Sequence, residues 1–173
     1  MRNCLRDHVD LKEFCSIYQA HDTPDLPHDM GVFAFVRHPA DWLSSLFTHR
    51  KCKGWNWDKS FALEQKCAAK DFKTFIANIC SHEGIVSQYF NHYLDKYRSA
   101  PSRLFIGKQE NLCQDFISAL TKFNESFKKQ PIVELKDQKA NGAKNKTPSL
   151  TVGDRDRLYE SQEDFYSMYG YEK

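Results

Sequence analysis

The run Gly31-Val-Phe-Ala-Phe-Val-Arg37, closed by His38-Pro39, limits what this chain can fold into more than any other stretch. Its apolar residues are uninterrupted, rich in β-branched and aromatic side chains, and bounded by glycine and proline. That is the pattern of a strand buried on both faces, as in a parallel sheet. Pro39 then suits the first position of a helix, where its missing N–H is no loss. Trp42, Leu43, Leu46 and Phe47 give this helix an apolar stripe reaching to about Lys51. A second strand-to-helix unit follows downstream: Arg103-Leu-Phe-Ile-Gly107 reads as a short strand, and Glu110–Phe123 places Leu112, Phe116, Leu120 and Phe123 on one helical face.

Helical spacing also organises Val9–Tyr18, Asp71–Ser81, Ile85–Tyr97 and Asp154–Tyr169, the last ended by Gly170. Between them, Ala20–Met30 is broken by Pro24 and Pro27, Lys53–Lys59 reads as an exposed loop, and residues 124–153 form a polar, lysine-rich surface loop or lid. The expected class is α/β, with a short parallel sheet and many helices. At 173 residues, the length is that of one domain spanning 1–173, able to bury roughly 70% of its unfolded surface.

A formal charge of +2 excludes a chain-wide basic field of the kind that binds nucleic acid non-specifically, so any anion site is local. No apolar run approaches the roughly 20 residues of a membrane span, and charges interrupt Met1–Asp10 where a signal peptide has its apolar stretch. A soluble, cytoplasmic protein is expected. The six cysteines Cys4, Cys15, Cys52, Cys67, Cys80 and Cys113 are scattered without a C-x-x-C pair, which favours reduced, mostly buried thiols. His49 and Cys52 stand at helical i,i+3 spacing, but no second pair completes a zinc site, and no metal is expected.

Chemistry concentrates at the first strand-to-helix junction. Arg37 at the carboxyl end of a strand, followed by a helix N-terminus, sets a bidentate donor beside free backbone N–H groups, an arrangement suited to phosphate. Ser45, eight residues further on, adds a hydroxyl about two turns into the helix. The plainer alternative pairs Arg37 with Asp41 and leaves Ser45 as helix surface. The aromatic set Trp55, Trp57 and Phe61 either stacks a ligand ring or packs beneath a loop.

The run Phe33-Ala-Phe-Val-Arg-His-Pro-Ala-Asp-Trp-Leu-Ser-Ser45 resembles the 3′-phosphate-binding signature of sulfotransferases that use 3′-phosphoadenylyl sulfate (PAPS), especially the carbohydrate-type branch. Glu110-Asn-Leu-Cys-Gln-Asp-Phe116, Asn145-Lys-Thr147 and Asp164-Phe-Tyr-Ser-Met-Tyr-Gly-Tyr171 are similar, in order and spacing, to further elements of that family. The resemblance implies a P-loop-like, three-layer nucleotide-binding fold, and PAPS as co-substrate held by Arg37 and Ser45. It also implies sulfuryl transfer to a hydroxyl or amine, with a carbohydrate as the acceptor class. His21 corresponds to a histidine some glycan sulfotransferases carry ahead of this strand, which makes it the first candidate for catalytic base; a loop histidine capped by Asp22 is the alternative. Lys144 and Lys146, in the basic segment, are candidate phosphate ligands on a closing lid. Glu110 is expected to start a helix or to orient Arg37.

The sequence departs from the family at His38, where asparagine or aspartate is usual, and at Trp42, where many relatives carry arginine. Nothing before Arg37 matches the family's lysine-bearing 5′-phosphosulfate loop, and the seven glycines are too dispersed to cradle a phosphate. The expectation is therefore a domain reduced in its N-terminal part, or a portion of a longer polypeptide. Its rival in function is an inactive nucleotide- or partner-binding module on the same fold.

Overall fold

The computed structural model describes residues 31–55, 62–98, 101–124, 129–134 and 148–173. The expected helix Val9–Tyr18 and the loop Ala20–Met30 lie outside them. The described chain is mostly helical, with a two-stranded parallel sheet, which places it in the α/β class in the coarse sense. It divides into two compact units: residues 1–36 with 95–142, and residues 37–94 with 143–173.

The first unit carries the sheet. Strand β1 (Val32–Val36) pairs in parallel with β2 (Leu104–Lys108), Val32 opposite Leu104 and Val36 opposite Lys108. A 3₁₀ turn (Gln109–Asn111) leads from β2 into the helix Leu112–Lys122, and this helix packs against both strands. Phe33 meets Phe105 and Phe116 at ring separations of 6.0 and 5.2 Å. Gly107 is required by close approach, since a Cβ there would stand 2.7 Å from Cβ of Asp115. The space lets Asp115 accept the Lys108 N–H at 2.6 Å, fixing the helix on the strand end.

β1 is not buried on both faces as its composition suggests. Only Val36 is buried, and Phe35 is 43% exposed. Alternation along a strand sends Phe33 and Phe35 to one face, and the covering helix reaches the first ring. Within residues 124–153, Lys129–Glu134 form a short helix, and its Ile132 is buried with Ile117 and Leu120.

The second unit is helical. In chain order, α1 is Pro39–Lys53, α2 Ala62–Cys67, α3 Phe72–Cys80 and α4 Ile85–Arg98, whose last residues belong to the first unit. The helices Leu112–Lys122 and Lys129–Glu134 are α5 and α6, and Val152–Ser161 and Glu163–Tyr169 are α7 and α8. Pro39 opens α1 as expected, and α1 buries Leu43, Ser44 and Phe47. Asp71 caps α3 by accepting Thr74 N–H at 2.9 Å, and Phe75, Ile76 and Ile79 enter the core.

The helix expected over Asp154–Tyr169 is two helices broken at Gln162, because that side chain is drawn inward. Gln162 is completely buried. Its Oε1 accepts Val86 N–H at 3.0 Å, while its Nε2 donates to the carbonyls of His82 at 3.0 Å and Ile79 at 3.3 Å. One amide thus takes up the Val86 N–H at the start of α4, a donor the helix itself leaves over, and adds a second bond to the Ile79 and His82 carbonyls, which also accept His82 N–H at 3.1 Å and Ile85 N–H at 3.3 Å. Among the described residues, no helix is long and apolar enough to cross a membrane.

Candidate functional site

Arg37 is the first residue after β1, and His38 follows it in extended geometry (φ −49°, ψ 126°) as the N-cap of α1. The His38 side chain makes no cap hydrogen bond, and Pro39 has no N–H. The first turn of α1 therefore presents backbone donors that neither residue claims, with the positive end of the helix dipole behind them. Arg37 is half-buried, and among the described residues its guanidinium has no hydrogen bond or carboxylate partner. The alternative in which Arg37 pairs with Asp41 is not what the structure shows. Asp41 is exposed, and no ion pair joins the two.

The hydroxyls of α1 separate into two kinds. Ser44 is buried and donates to the Ala40 carbonyl at 2.8 Å, and Thr48 donates to the Ser44 carbonyl at 2.8 Å. Both are absorbed by the helix backbone. Ser45 is half-buried, and among the described residues its hydroxyl bonds to nothing. On an α-helix it shares a face with Asp41 and Trp42. Arg37 and Ser45 thus lie on one continuous strand-to-helix segment, each with its polar group uncommitted, and no hydrogen bond links them directly.

His21, Lys144, Lys146, Trp57 and Phe61 lie outside the described residues. Trp55 is a packing residue: its indole N–H donates to the Ala69 carbonyl at 3.2 Å, and its ring meets Phe47 and Phe75. Trp42 likewise packs on Tyr89 and Phe90, both at 5.0 Å. Glu110 sits in the 3₁₀ turn at the start of α5, as a helix-start residue does.

Two features had no sequence signal. His38 reaches the other end of the second unit, where its Nε2 lies 3.3 Å from the Glu172 carbonyl and its ring meets Tyr166 and Tyr171 edge-on. Two of the stretches that carry the family resemblance are therefore in contact. The second feature is a completely buried Glu64, bonded to the Arg50 guanidinium. Near this pair, burial and then the neighbouring hydroxyl and charges hold the Tyr93 phenol well above its usual range, and burial raises that of Tyr89. These phenols remain protonated donors at neutral pH.

An open recess lined by Glu83, Gly84, Glu163, Asp164 and Ser167 also marks the second unit, but neither Arg37 nor Ser45 lines it. Among the described residues, no group of histidine, cysteine and carboxylate side chains is arranged to hold a metal ion. The described cysteines are free thiols. Cys67 is buried, with burial pushing its thiol up to about 12, Cys80 and Cys113 are half-buried, and Cys52 is exposed rather than buried.

No protein-family model, curated protein or solved structure matches this chain.

Proposed function

We propose that this chain is a sulfotransferase-like protein on a P-loop-like fold, transferring the sulfuryl group of PAPS to a hydroxyl or amine, with a carbohydrate as the acceptor class. The observation that carries the reading is the uncommitted pair on the β1–α1 segment: a half-buried Arg37 without a partner among the described residues, and a Ser45 hydroxyl that the helix does not use. A buried or half-buried guanidinium is ordinarily paired, and a phosphate offers the planar, bidentate match it lacks here. The free N–H groups at the start of α1 add donors of the same sign.

In the reaction, Arg37 and Ser45 bind the 3′-phosphate and hold the nucleotide in line with the acceptor. The acceptor oxygen or nitrogen forms a bond to sulfur as the bond from sulfur to the 5′-phosphate oxygen breaks. His21 takes the acceptor proton, and adenosine 3′,5′-bisphosphate departs. Lys144 and Lys146 are assigned to the charge on the leaving phosphate, where one preorganised donor contributes about 3 kcal/mol to the transition state.

Adenosine 3′,5′-bisphosphate tests the binding step. It should raise the melting temperature of the protein, and Arg37→Ala should abolish the rise, since a charge-assisted hydrogen bond contributes about 2 kcal/mol. Unchanged melting at millimolar nucleotide overturns the reading. A second reading, an inactive nucleotide-binding module, is favoured by residues 1–36, whose single glycine, Gly31, makes no phosphate-cradling run. Transfer of labelled sulfate to a panel of acceptors separates the two: Arg37-dependent binding without turnover selects the module.

A further inference from the structure

We infer that His38 is a positioning residue for the Arg37 anion site, held in place by the closing segment Gly170–Lys173. The inference rests on the nucleotide-binding reading above. The N-cap of a helix is usually a serine, threonine, aspartate or asparagine whose side chain bonds to the first-turn N–H groups. His38 occupies that position without doing so. Its ring turns away from the helix and donates from Nε2 to the Glu172 carbonyl, across a sequence separation of 134 residues.

The segment that receives this bond is fixed at several points. Gly170 takes the left-handed conformation at φ 59°, which ends α8 and turns the chain back. Tyr171 N–H then donates to the Tyr166 carbonyl at 2.9 Å, and the Tyr171 ring stacks on Phe165 with the planes 7° apart. Lys173 pairs with Asp156 at 2.9 Å and lies over the Tyr159 ring. Against this support the imidazole is held edge-on by Tyr166 at 5.5 Å and Tyr171 at 5.4 Å. On its backbone side, the His38 carbonyl accepts Trp42 N–H at 2.9 Å.

His38 is therefore restrained at ring and carbonyl together, and the backbone of Arg37, its covalent neighbour, is anchored through that restraint. The same arrangement keeps the His38 side chain off the first-turn donors of α1. An asparagine here would bond to those donors locally; the histidine transfers the anchoring to the closing segment and leaves them for an anion.

The test measures binding of adenosine 3′,5′-bisphosphate by calorimetry, with amide hydrogen exchange over residues 37–42, in the unaltered protein and in Arg37→Ala, His38→Ala, His38→Gln, Tyr171→Ala and the double variant His38→Ala/Tyr171→Ala. Tyr171→Leu, which keeps apolar bulk on Phe165, replaces Tyr171→Ala if the latter does not fold. His38→Ala and Tyr171→Ala should each weaken binding about tenfold, the lower end of what outer-shell orienting partners contribute at metal ligands. Exchange at residues 37–42 should quicken in both. The double variant should bind no worse than either single one, because both changes break the same link. His38→Gln, which restores an N–H donor of similar reach, should recover most of the loss. Unaltered binding in His38→Ala and Tyr171→Ala, or additive losses in the double variant, overturns the positioning role while Arg37-dependent binding still stands. Failure of the unaltered protein to bind the nucleotide overturns the reading of the site itself.

Discussion

The two units use phenylalanine differently. In the strand-bearing unit, Phe33, Phe105 and Phe116 form tilted pairs at 5.2 to 6.0 Å, yet each ring stays partly open to solvent. In the helical unit, Phe75 and Phe165 are completely excluded from it, alongside Leu43, Ile79 and Leu158. Among the described residues, α5 is the helix that covers β1 and it packs from one side, whereas a ring among several helices is enclosed by side chains from many directions. Tight burial, and most of the specificity in packing, therefore belongs to the helices.

The largest expected effect comes from Phe165→Ala, which leaves a cavity where Phe90, Tyr169 and Tyr171 now meet. A loss of about 3–5 kcal/mol in denaturant unfolding is expected, and a loss below 1 kcal/mol would contradict the contrast between the units. Gln162→Leu should cost about 1–3 kcal/mol, because it leaves the Val86 N–H without its side-chain acceptor and takes the second bond from the Ile79 and His82 carbonyls. Leu120→Ala, in the small α5–α6 cluster, should cost about 2 kcal/mol, the low end for such a truncation. Hydrogen exchange should show this loss in α5 while α3 keeps its protection.

The smallest effects are chemical. Burial pushes the Tyr166 phenol up to about 12. Once unfolded, this tyrosine releases its proton near its ordinary value of 10, so the unfolded chain binds fewer protons than the folded one between 10 and about 12. Stability should accordingly be unaffected by Tyr166 below that window and fall as pH rises through it. Ultraviolet titration of the folded protein should show Tyr166, with Tyr89 and Tyr93, among the phenols that resist ionisation at pH 10, and Tyr166→Phe should lower the number of resisting phenols by one. Cys67, similarly raised, should react with a thiol reagent far more slowly than exposed Cys52.

Local signals in the sequence located much of the framework. Both strands, α1 with Pro39 at its first position, α3, α4 and the Gly170 stop follow from short-range periodicity and from backbone chemistry that each residue carries with it. The misses are contextual. Phe35 belongs to an apolar run, and composition alone does not tell how many faces of a strand are covered. The six-residue helices α2 and α6 are too short for a repeat to emerge. In the candidate site, the positions of Arg37 after β1 and of Ser45 on α1 were legible because they follow from local strand-to-helix signals. The link from His38 to Glu172 was not, since nothing in either residue names a partner so far away.

The break at Gln162 has a consequence for how the molecule is assembled. Its amide partners stand about eighty positions upstream, so nothing within residues 152–169 alone dictates where the helix must bend. Released as a peptide, that stretch should favour a single rod. Only after the α3–α4 corner has formed does a docking socket exist, and the tail's final shape is written by a template made much earlier in the chain.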